Sequence, residues 1–304
     1  MTQYRAHFDA RIEFVNGGSL VADAFRLDLP EALAPADADE AAVGRLLVQH
    51  LGLALVGSVA VSNLAIVEEQ HRGSRGIDAT RSEQRGRLVD LSHAIHDGLV
   101  TYPGLPAPAI TPHLTRADSR SSYNPGTEFA MDTITMLGNT GTYLDSPYHR
   151  YEGGTDLAGL SLHTLVDQSA EVFHLSDATA RGIPESVFLD RDVTARAVLL
   201  HTGWDRHFAT PAYAHGAPFL TESGAAYLVE QGVTVVGIDS LNIDDIESGG
   251  SRPAHSLLLA AGVHVVEHLT GLDVLPPTGS LFSAVPPRVV GFGTFPVRAY
   301  ARVL

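Results

Sequence analysis

From about Arg87 onward the chain is a series of short apolar runs cut by glycine and proline: RLVDLSHAI, AVLLHTGW, VTVVGID, HVVEHL and RVVGFG. Runs of this kind suit strands, and two amphipathic segments between them, TESGAAYLVEQG and SRPAHSLLLAAG, suit helices. The pattern predicts an α/β domain rich in strands over residues 89–304. No internal repeat or low-complexity tract interrupts it.

The first 75 or so residues read differently. YRAHFDARIEFV and SLVADAFRLDL are strand-like and are joined by Asn16-Gly17-Gly18, residues that tolerate the positive φ of a hairpin turn. DADEAAVGRLLVQHLGL then has acidic residues near its start and Val43, Leu46, Leu47 and Leu51 on one helical face, and the strand-like LALVGSVAVSNLAIV follows. The expectation is a small β-β-α-β unit over 1–75, a polar linker over 76–88 that opens after Gly73-Ser74-Arg75-Gly76, and the larger domain beyond. His7, His50 and His71 in this part have no ligand-like spacing.

Twenty Lys and Arg against 35 Asp and Glu give 20 − 35 = −15, which repels phosphate backbones and anionic lipid surfaces. Nucleic acid and membranes are therefore not expected as partners. No run of about 18 apolar residues and no apolar leader appears in the sequence, so a soluble, cytoplasmic protein is expected. The chain has no cysteine, and any metal would be held by oxygen and imidazole. GxGxxG, Walker-type and Gly-x-Ser-x-Gly motifs are absent, which disfavours nucleotide chemistry and a serine nucleophile.

What remains is two segments carrying His, Asp and Glu. In GNTGTYLDSPYHRYEGG, residues 138–154, glycines allow close turns and Pro147 stiffens the stretch presenting Asp145 and His149. A carboxylate and an imidazole four residues apart can share a metal, act as an oriented acid/base pair, or form a buried structural hydrogen bond. In RPAHSLLLAAGVHVVEH, His255 and Glu267 are twelve residues apart across a predicted helix, a turn at Gly262 and a strand.

Together these segments resemble the cyclase superfamily that includes bacterial kynurenine formamidase and isatin hydrolase. The signature His-x-Gly-Thr-His-x-Asp-x-Pro-x-His is matched here by Asn139-Thr140-Gly141-Thr142-Tyr143-Leu144-Asp145-Ser146-Pro147-Tyr148-His149. DLSHAIHDGLVTYPG, HTGW at 201–204, GIDSLNID at 237–244 and PAHSLLLAAGVHVVEHLTGLDVLP resemble further landmarks in the same order. The resemblance implies a swivelling β/β/α fold, an oligomer of identical chains, and a divalent metal centre acting on an amide or lactone carbonyl. It also implies that the first two histidines and the aspartate of the signature bind one metal. The aspartate with the later His and Glu binds a second, and the last histidine is the acid/base group.

Both histidines of the first metal position are replaced here, by Asn139 and Tyr143. An amide oxygen replaces imidazole poorly on zinc, and tyrosine must lose a proton of pKa near 10 to bind well. The expected cofactor is therefore none, or one zinc or manganese ion held by Asp145, His255 and Glu267. Loss of activated water favours acid/base ring closure, dehydration or rearrangement of a small carbonyl compound. In that reading Tyr143 is the donor to the carbonyl, His149 the base, and Asp145 the group that orients the imidazole. A single-metal amide or lactone hydrolase and a ligand-binding protein without turnover are the alternatives.

Asn139, Tyr102 and Trp204 are the expected substrate contacts, with Tyr102 in a stretch where family members place a substrate-facing aromatic. Trp204, the only tryptophan, and Phe208 offer an apolar surface to substrate or to the core. The polar loop HLTRADSRSSYNPGTEF, residues 113–129, is either pocket wall or plain surface. His201, His207, His215, His264 and His268 are expected to be non-ligands, with His268 standing where the family commonly has Asn.

Overall fold

The computed structural model describes residues 2–30, 33, 37–51, 53, 55–70 and 86–304. It divides into two compact units, Met1–Ser82 and Glu83–Leu304. His71 and the expected linker residues 76–85 lie outside the described residues.

In the first unit, strands β1 (Thr2–Phe14), β2 (Ser19–Asp28) and β3 (Val56–Gln70) form an antiparallel sheet in the order β2-β1-β3. Helix α1 (Glu40–His50) joins β2 to β3, so the expected β-β-α-β order is present. Gly17 turns the hairpin at φ +87°, and the Asp39 side chain caps α1 by accepting from Ala42 N at 2.7 Å. Alternation along β1 puts Ala6, Phe8, Ala10 and Ile12 on one face, where they pack with Val43 and Leu47 of α1. Leu51, expected on that helical face, is the C-cap and is exposed.

The second unit begins with β4 (Arg87–Asp90), which starts inside the stretch expected as linker. A hairpin follows, β5 (Ala109–Leu114) with β6 (Met131–Thr135). The remaining strands are β7 (Tyr143–Asp145), β8 (Gln168–His174), β9 (Gly182–Ile183), β10 (Ala197–His201), β11 (Phe219–Leu220), β12 (Val235–Ile238), β13 (His264–Glu267), β14 (Ser280–Ser283), β15 (Thr294–Pro296) and β16 (Tyr300–Val303). Helices α2 (Glu222–Glu230) and α3 (Pro253–Ala260) are the two amphipathic segments of the sequence.

Nine strands form one mixed sheet in the order β15-β7-β13-β12-β10-β8-β14-β16-β4. The central strands β13, β12, β10 and β8 are parallel, and antiparallel strands flank them on both sides. Their side chains alternate between two cores. Val172, Leu199, Val235 and Val266 face one. Phe173, Val198, Val236 and Val265 face the other, which α2 and α3 cover with Ala225, Leu228, Ala254 and Leu258. Strands buried on both faces read as continuous apolar runs, which is why the sequence marks them so clearly. Truncating one such residue, Leu199→Ala for example, costs about 2–5 kcal/mol in cores of this kind.

The landmarks HTGW and GID meet at the ends of adjacent strands. The Asp239 carboxylate accepts from Thr202 N and Gly203 N, both at 2.8 Å, and from Thr202 Oγ1 at 2.5 Å, tying the exit of β12 to that of β10. Burial raises this carboxyl to about 7 even though the three hydrogen bonds oppose the rise.

Candidate active site

The site is assembled by strand register. β7 pairs antiparallel with β13, with Tyr143 opposite Glu267, and antiparallel with β15, with Thr294 opposite Asp145. Residues two apart on a strand share a face, so Tyr143 and Asp145 point the same way, each beside its cross-strand partner. The chain leaving β7 then turns through Pro147–His149 and carries His149 back over Thr294. Across the site, the first turn of α3 presents His255.

His255 is fixed by a carboxylate that sequence reasoning passed over. Asp244, buried in the GIDSLNID segment, accepts from Ala254 N at 2.7 Å, His255 N at 3.1 Å and His255 Nδ1 at 2.7 Å. It therefore caps α3 from a distance and sets the tautomer, leaving Nε2 to face Asp145 Oδ2 at 3.5 Å and Glu267 Oε1 at 3.6 Å. Burial lowers the affinity of this imidazole for a proton, but contact with Asp145 and Asp244 and the charge of Glu267 outweigh it and hold the pKa up at about 10.

A second unassigned residue, Thr294, joins the acid to the other imidazole. Its hydroxyl donates to Asp145 Oδ1 and accepts from His149 Nδ1 at 2.7 Å. The direct His149 Nδ1 to Asp145 Oδ1 distance is 3.8 Å. Asp145 thus orients His149 through Thr294, which corrects the expectation of a direct pair. Asp145 Oδ2 is buried with no hydrogen-bond partner in the structure. Burial would raise the Asp145 pKa, yet the two histidines and Thr294 hold it below the usual carboxylate value.

Tyr143 is positioned otherwise than expected. Its hydroxyl donates to Glu267 Oε2 at 2.6 Å instead of standing free for a substrate. Behind it lies His268, fully buried, with Nε2 at 3.2 Å from Tyr143 Oη and Nδ1 at 2.8 Å from Tyr213 Oη. Since the Tyr143 proton goes to Glu267, Nε2–H is the donor to Tyr143 and Nδ1 accepts from Tyr213. His268 adopts φ +56°, a left-handed conformation that Asn, Asp and His enter more readily than other side chains. Burial lowers its pKa to about 3, so it remains neutral. Burial, then the charges of Glu267 and Asp145, push the Tyr143 hydroxyl well above its usual range.

Glu267 is the third group of the expected metal set. Its Oε1 accepts from Ile243 N at 2.6 Å and its Oε2 from Tyr143, and burial raises its carboxyl to about 7. Among the described residues, the group of three metal-ligating types whose donor atoms all lie within 4.8 Å of one another is Asp145, His149 and His255. One carboxylate and two imidazoles match the three-ligand pattern of catalytic zinc sites, and a buried carboxylate oxygen without a partner is where a cation is called for. The residues present therefore fit a single divalent ion, with His149 in the place anticipated for Glu267.

The site opens into a cavity of about 650 Å³ lined by Tyr102, Asn139, Tyr143, His149, His255 and Glu267 among others. Asn139 and Tyr102, the two expected substrate contacts, both lie in its wall. Trp204 does not: its indole donates to Tyr213 O at 3.1 Å and packs on His207, in a cluster with Phe208 and Leu241. It borders a separate cavity of about 130 Å³, so its expected substrate contact is corrected to a packing role. No residue of the 113–129 loop lines the main cavity. Its start completes β5, a helical turn follows at Arg116–Ser119, and Tyr123 packs on Phe129.

Three of the histidines expected as non-ligands have partners within the fold. His264 Nε2 is 2.9 Å from Thr164 Oγ1 on the face away from Glu267, His201 pairs with His174 at 2.8 Å, and His207 accepts from Arg206 Nε at 3.1 Å.

A mixed sheet with a helix layer on one face, and an Asp-His-His cluster beside a buried Glu at the strand ends, define an enzyme site of the hydrolase-like α/β type. The chain belongs to the cyclase family: the family model described as putative cyclase matches residues 89–245. Kynurenine formamidase of Sphingopyxis alaskensis is 30% identical over 227 residues, covering 71% of this chain and 98% of that protein. The kynurenine formamidase of Geobacillus thermodenitrificans is 29% identical over 214 residues, 70% of this chain and 96% of the relative.

Among solved structures, one described as a potential metal-dependent hydrolase with cyclase activity shares 27% identity at a TM-score of 0.59, covering 72% of this chain and 98% of its own. An isatin hydrolase bound to the product analogue thioisatinate matches in fold at a TM-score of 0.62 and 20% identity, covering 72% of this chain and 93% of its own. Among the described residues no helix is long and apolar enough to cross a membrane.

Proposed function

We propose that this enzyme hydrolyses an amide or lactone bond in a small carbonyl compound, using one divalent ion, zinc or manganese, held by Asp145, His149 and His255. The observation that carries this reading is the convergence of those three donor groups, whose ligand atoms all lie within 4.8 Å of one another. The names of the relatives, kynurenine formamidase and metal-dependent hydrolase, support the same class.

The chemistry supplied by a bound divalent cation is Lewis acidity toward a carbonyl oxygen and a lowered pKa for water, from about 15.7 to about 7. The protein's own groups do the rest. Asp244 holds His255 in the tautomer that directs Nε2 inward, and Thr294 holds His149 against Asp145. Glu267, which lines the cavity with Oε1 3.6 Å from His255 Nε2, is the group placed to take the proton from the attacking water and return it to the leaving group. Tyr143, backed by His268, fixes Glu267 Oε2. Asn139, at a position where the family signature has histidine, offers an amide to the substrate from the cavity wall.

Ring closure without metal, the reading favoured by the sequence, needs Tyr143 as a donor to substrate. A hydroxyl already given to Glu267 and raised in pKa serves that role poorly.

The test is metal analysis of protein purified without a metal-binding tag, alone and after incubation with zinc or manganese, followed by a screen of N-formyl amides and lactones. One ion per chain, lost in His255→Ala together with turnover, is expected. Hydrolysis that survives a strong chelator and persists in His255→Ala would overturn the metal centre, and no turnover of any amide or lactone by the metal-loaded protein would overturn the hydrolytic reading in favour of acid/base ring closure.

A further inference from the structure

The chain carries a net charge of −15, yet the outer wall of the site cavity holds two arginines, Arg150 and Arg252. Among the described residues neither makes an ion pair with a carboxylate, although Arg181, Arg191, Arg196 and Arg298 all do. The acids next to Arg252 in the chain are engaged elsewhere. Asp244 is taken by His255 and the start of α3. Asp245 and Glu247 both pair with Arg181, at 2.8 and 2.6 Å. The positive charge of Arg252 is therefore left without a neutralising partner at the cavity wall.

The two side chains are also held. Arg252 Nη1 donates to Ser251 O at 2.8 Å and to Asp245 O at 3.4 Å, which anchors one arm of the guanidinium to backbone and leaves the rest of the fork available. Arg150 Nε donates to Ser256 Oγ at 3.4 Å, and Ser256 Oγ donates to Arg252 O at 2.7 Å, so one serine links both residues. The field of Arg252 reaches into the cavity: burial and then Glu267 raise the Tyr102 hydroxyl, and Arg252 opposes that rise. Glu267, deep in the cavity lining, is fully buried, as is Asp145 behind His149 and His255, whereas Arg150 is exposed and Arg252 half-buried. Positive charge at the mouth and acid at the base set a direction for a bound molecule.

We propose that Arg150 and Arg252 form an anion-binding subsite that selects substrates carrying a carboxylate, placed so that the carboxylate lies at the mouth and the reacting carbonyl at the Asp145–His149–His255 end. Guanidinium groups match carboxylates as two parallel N–H···O contacts, which gives orientation as well as affinity. A single negative charge suits the site, because Asp145 and Glu267 repel more. This assignment deepens the hydrolase reading and rests on it for the direction of the substrate, but the anion subsite is measured without turnover.

The experiment compares benzoate with benzamide, a pair differing in charge and closely alike in shape, by isothermal titration of metal-stripped protein in chelator, so that a carboxylate cannot bind through a metal. The wild type is expected to prefer benzoate by about tenfold, the scale of charge-assisted hydrogen bonds in a half-enclosed pocket, with the preference shrinking as salt rises. Arg150→Gln/Arg252→Gln should bind the two compounds alike while keeping the wild-type melting temperature, and Arg252→Lys, which keeps the charge and loses the fork, should fall between.

Equal binding of the two compounds by the wild type, or an undiminished benzoate preference in the double variant, overturns the subsite. If the preference behaves as stated and no amide or lactone is turned over in the separate screen, the hydrolytic reading fails and the anion subsite stands.

Discussion

Asp244→Asn tests the part of the site that the sequence did not disclose. The substitution keeps shape and removes charge, so no cavity is made. In the native protein the carboxylate accepts three hydrogen bonds, from Ala254 N at 2.7 Å, His255 N at 3.1 Å and His255 Nδ1 at 2.7 Å. An asparagine has one oxygen to offer, and its NH2 group must face at least one of those donors. The loss is at least one hydrogen bond to a charged acceptor, about 1.5–3 kcal/mol, and a weakened helix cap adds to it, for a total on the order of 3 kcal/mol.

That is a large share of the roughly 5–15 kcal/mol that keeps a domain folded. Urea denaturation of the metal-free protein reads it directly. A zinc titration against a competing dye reads the second consequence, a fall of about 10–100-fold in affinity when the group orienting a ligand histidine is altered. A variant within 0.5 kcal/mol of wild type on the ordinary scale of surface changes, with zinc affinity unchanged, would refute the role of Asp244. A loss of stability with zinc affinity intact would leave it a helix cap and nothing more.

Other outcomes follow from the same geometry. Gly293→Ala would place a Cβ 2.6 Å from His149 N and 2.7 Å from His149 Cα, atoms that cannot swing aside, and Gly293 O also accepts from Ser146 N at 2.8 Å. We expect about 1–3 kcal/mol of destabilisation and displaced His149 signals in the NMR spectrum, and unchanged stability would show that the loop is not clamped there. His264 supplies a pH signature: burial lowers its folded pKa to about 4 from 6.5, so the unfolded chain binds the extra proton between those values. The stability it contributes is complete above pH 6.5 and is lost as pH falls through 6.5 toward 4, on the order of 3 kcal/mol over that window. His264→Gln should flatten the acid limb of stability against pH by up to one proton, and an identical slope in the two proteins would discount this histidine.

The sequence marked β10 and β12 because burial on both sides of a parallel sheet writes itself as uninterrupted apolar runs, AVLLH and VVGI, whereas RVVGFG, expected as a strand on the same ground, is a loop with Val290 exposed. It carried the Asp145–Pro147–His149 presentation for a similar reason, since a turn of four residues is fixed by local chemistry. The small first unit was legible too, down to the Asn-Gly-Gly hairpin, although the Asp39 cap emerged only with the structure.

What the sequence could not decide was which groups meet after long loops close. Thr294 touches Asp145 across 149 residues and Tyr143 reaches Glu267 across 124, through strand registers that no periodicity within one segment reports. Asp244 sat inside a recognised landmark, but its role depends on the helix start it meets, which the segment GIDSLNID does not contain. Trp204 shows the reverse error, an aromatic whose chemistry suited a pocket and whose indole is turned to Tyr213 O instead. By itself the sequence determined the strand-rich α/β class, the two helices and the inventory of reactive groups. Tertiary structure alone decided that the Tyr143 proton belongs to Glu267 and that His149 joins Asp145 and His255, because hydrogen-bond partners are chosen by distances of about 3 Å that only the closed fold sets.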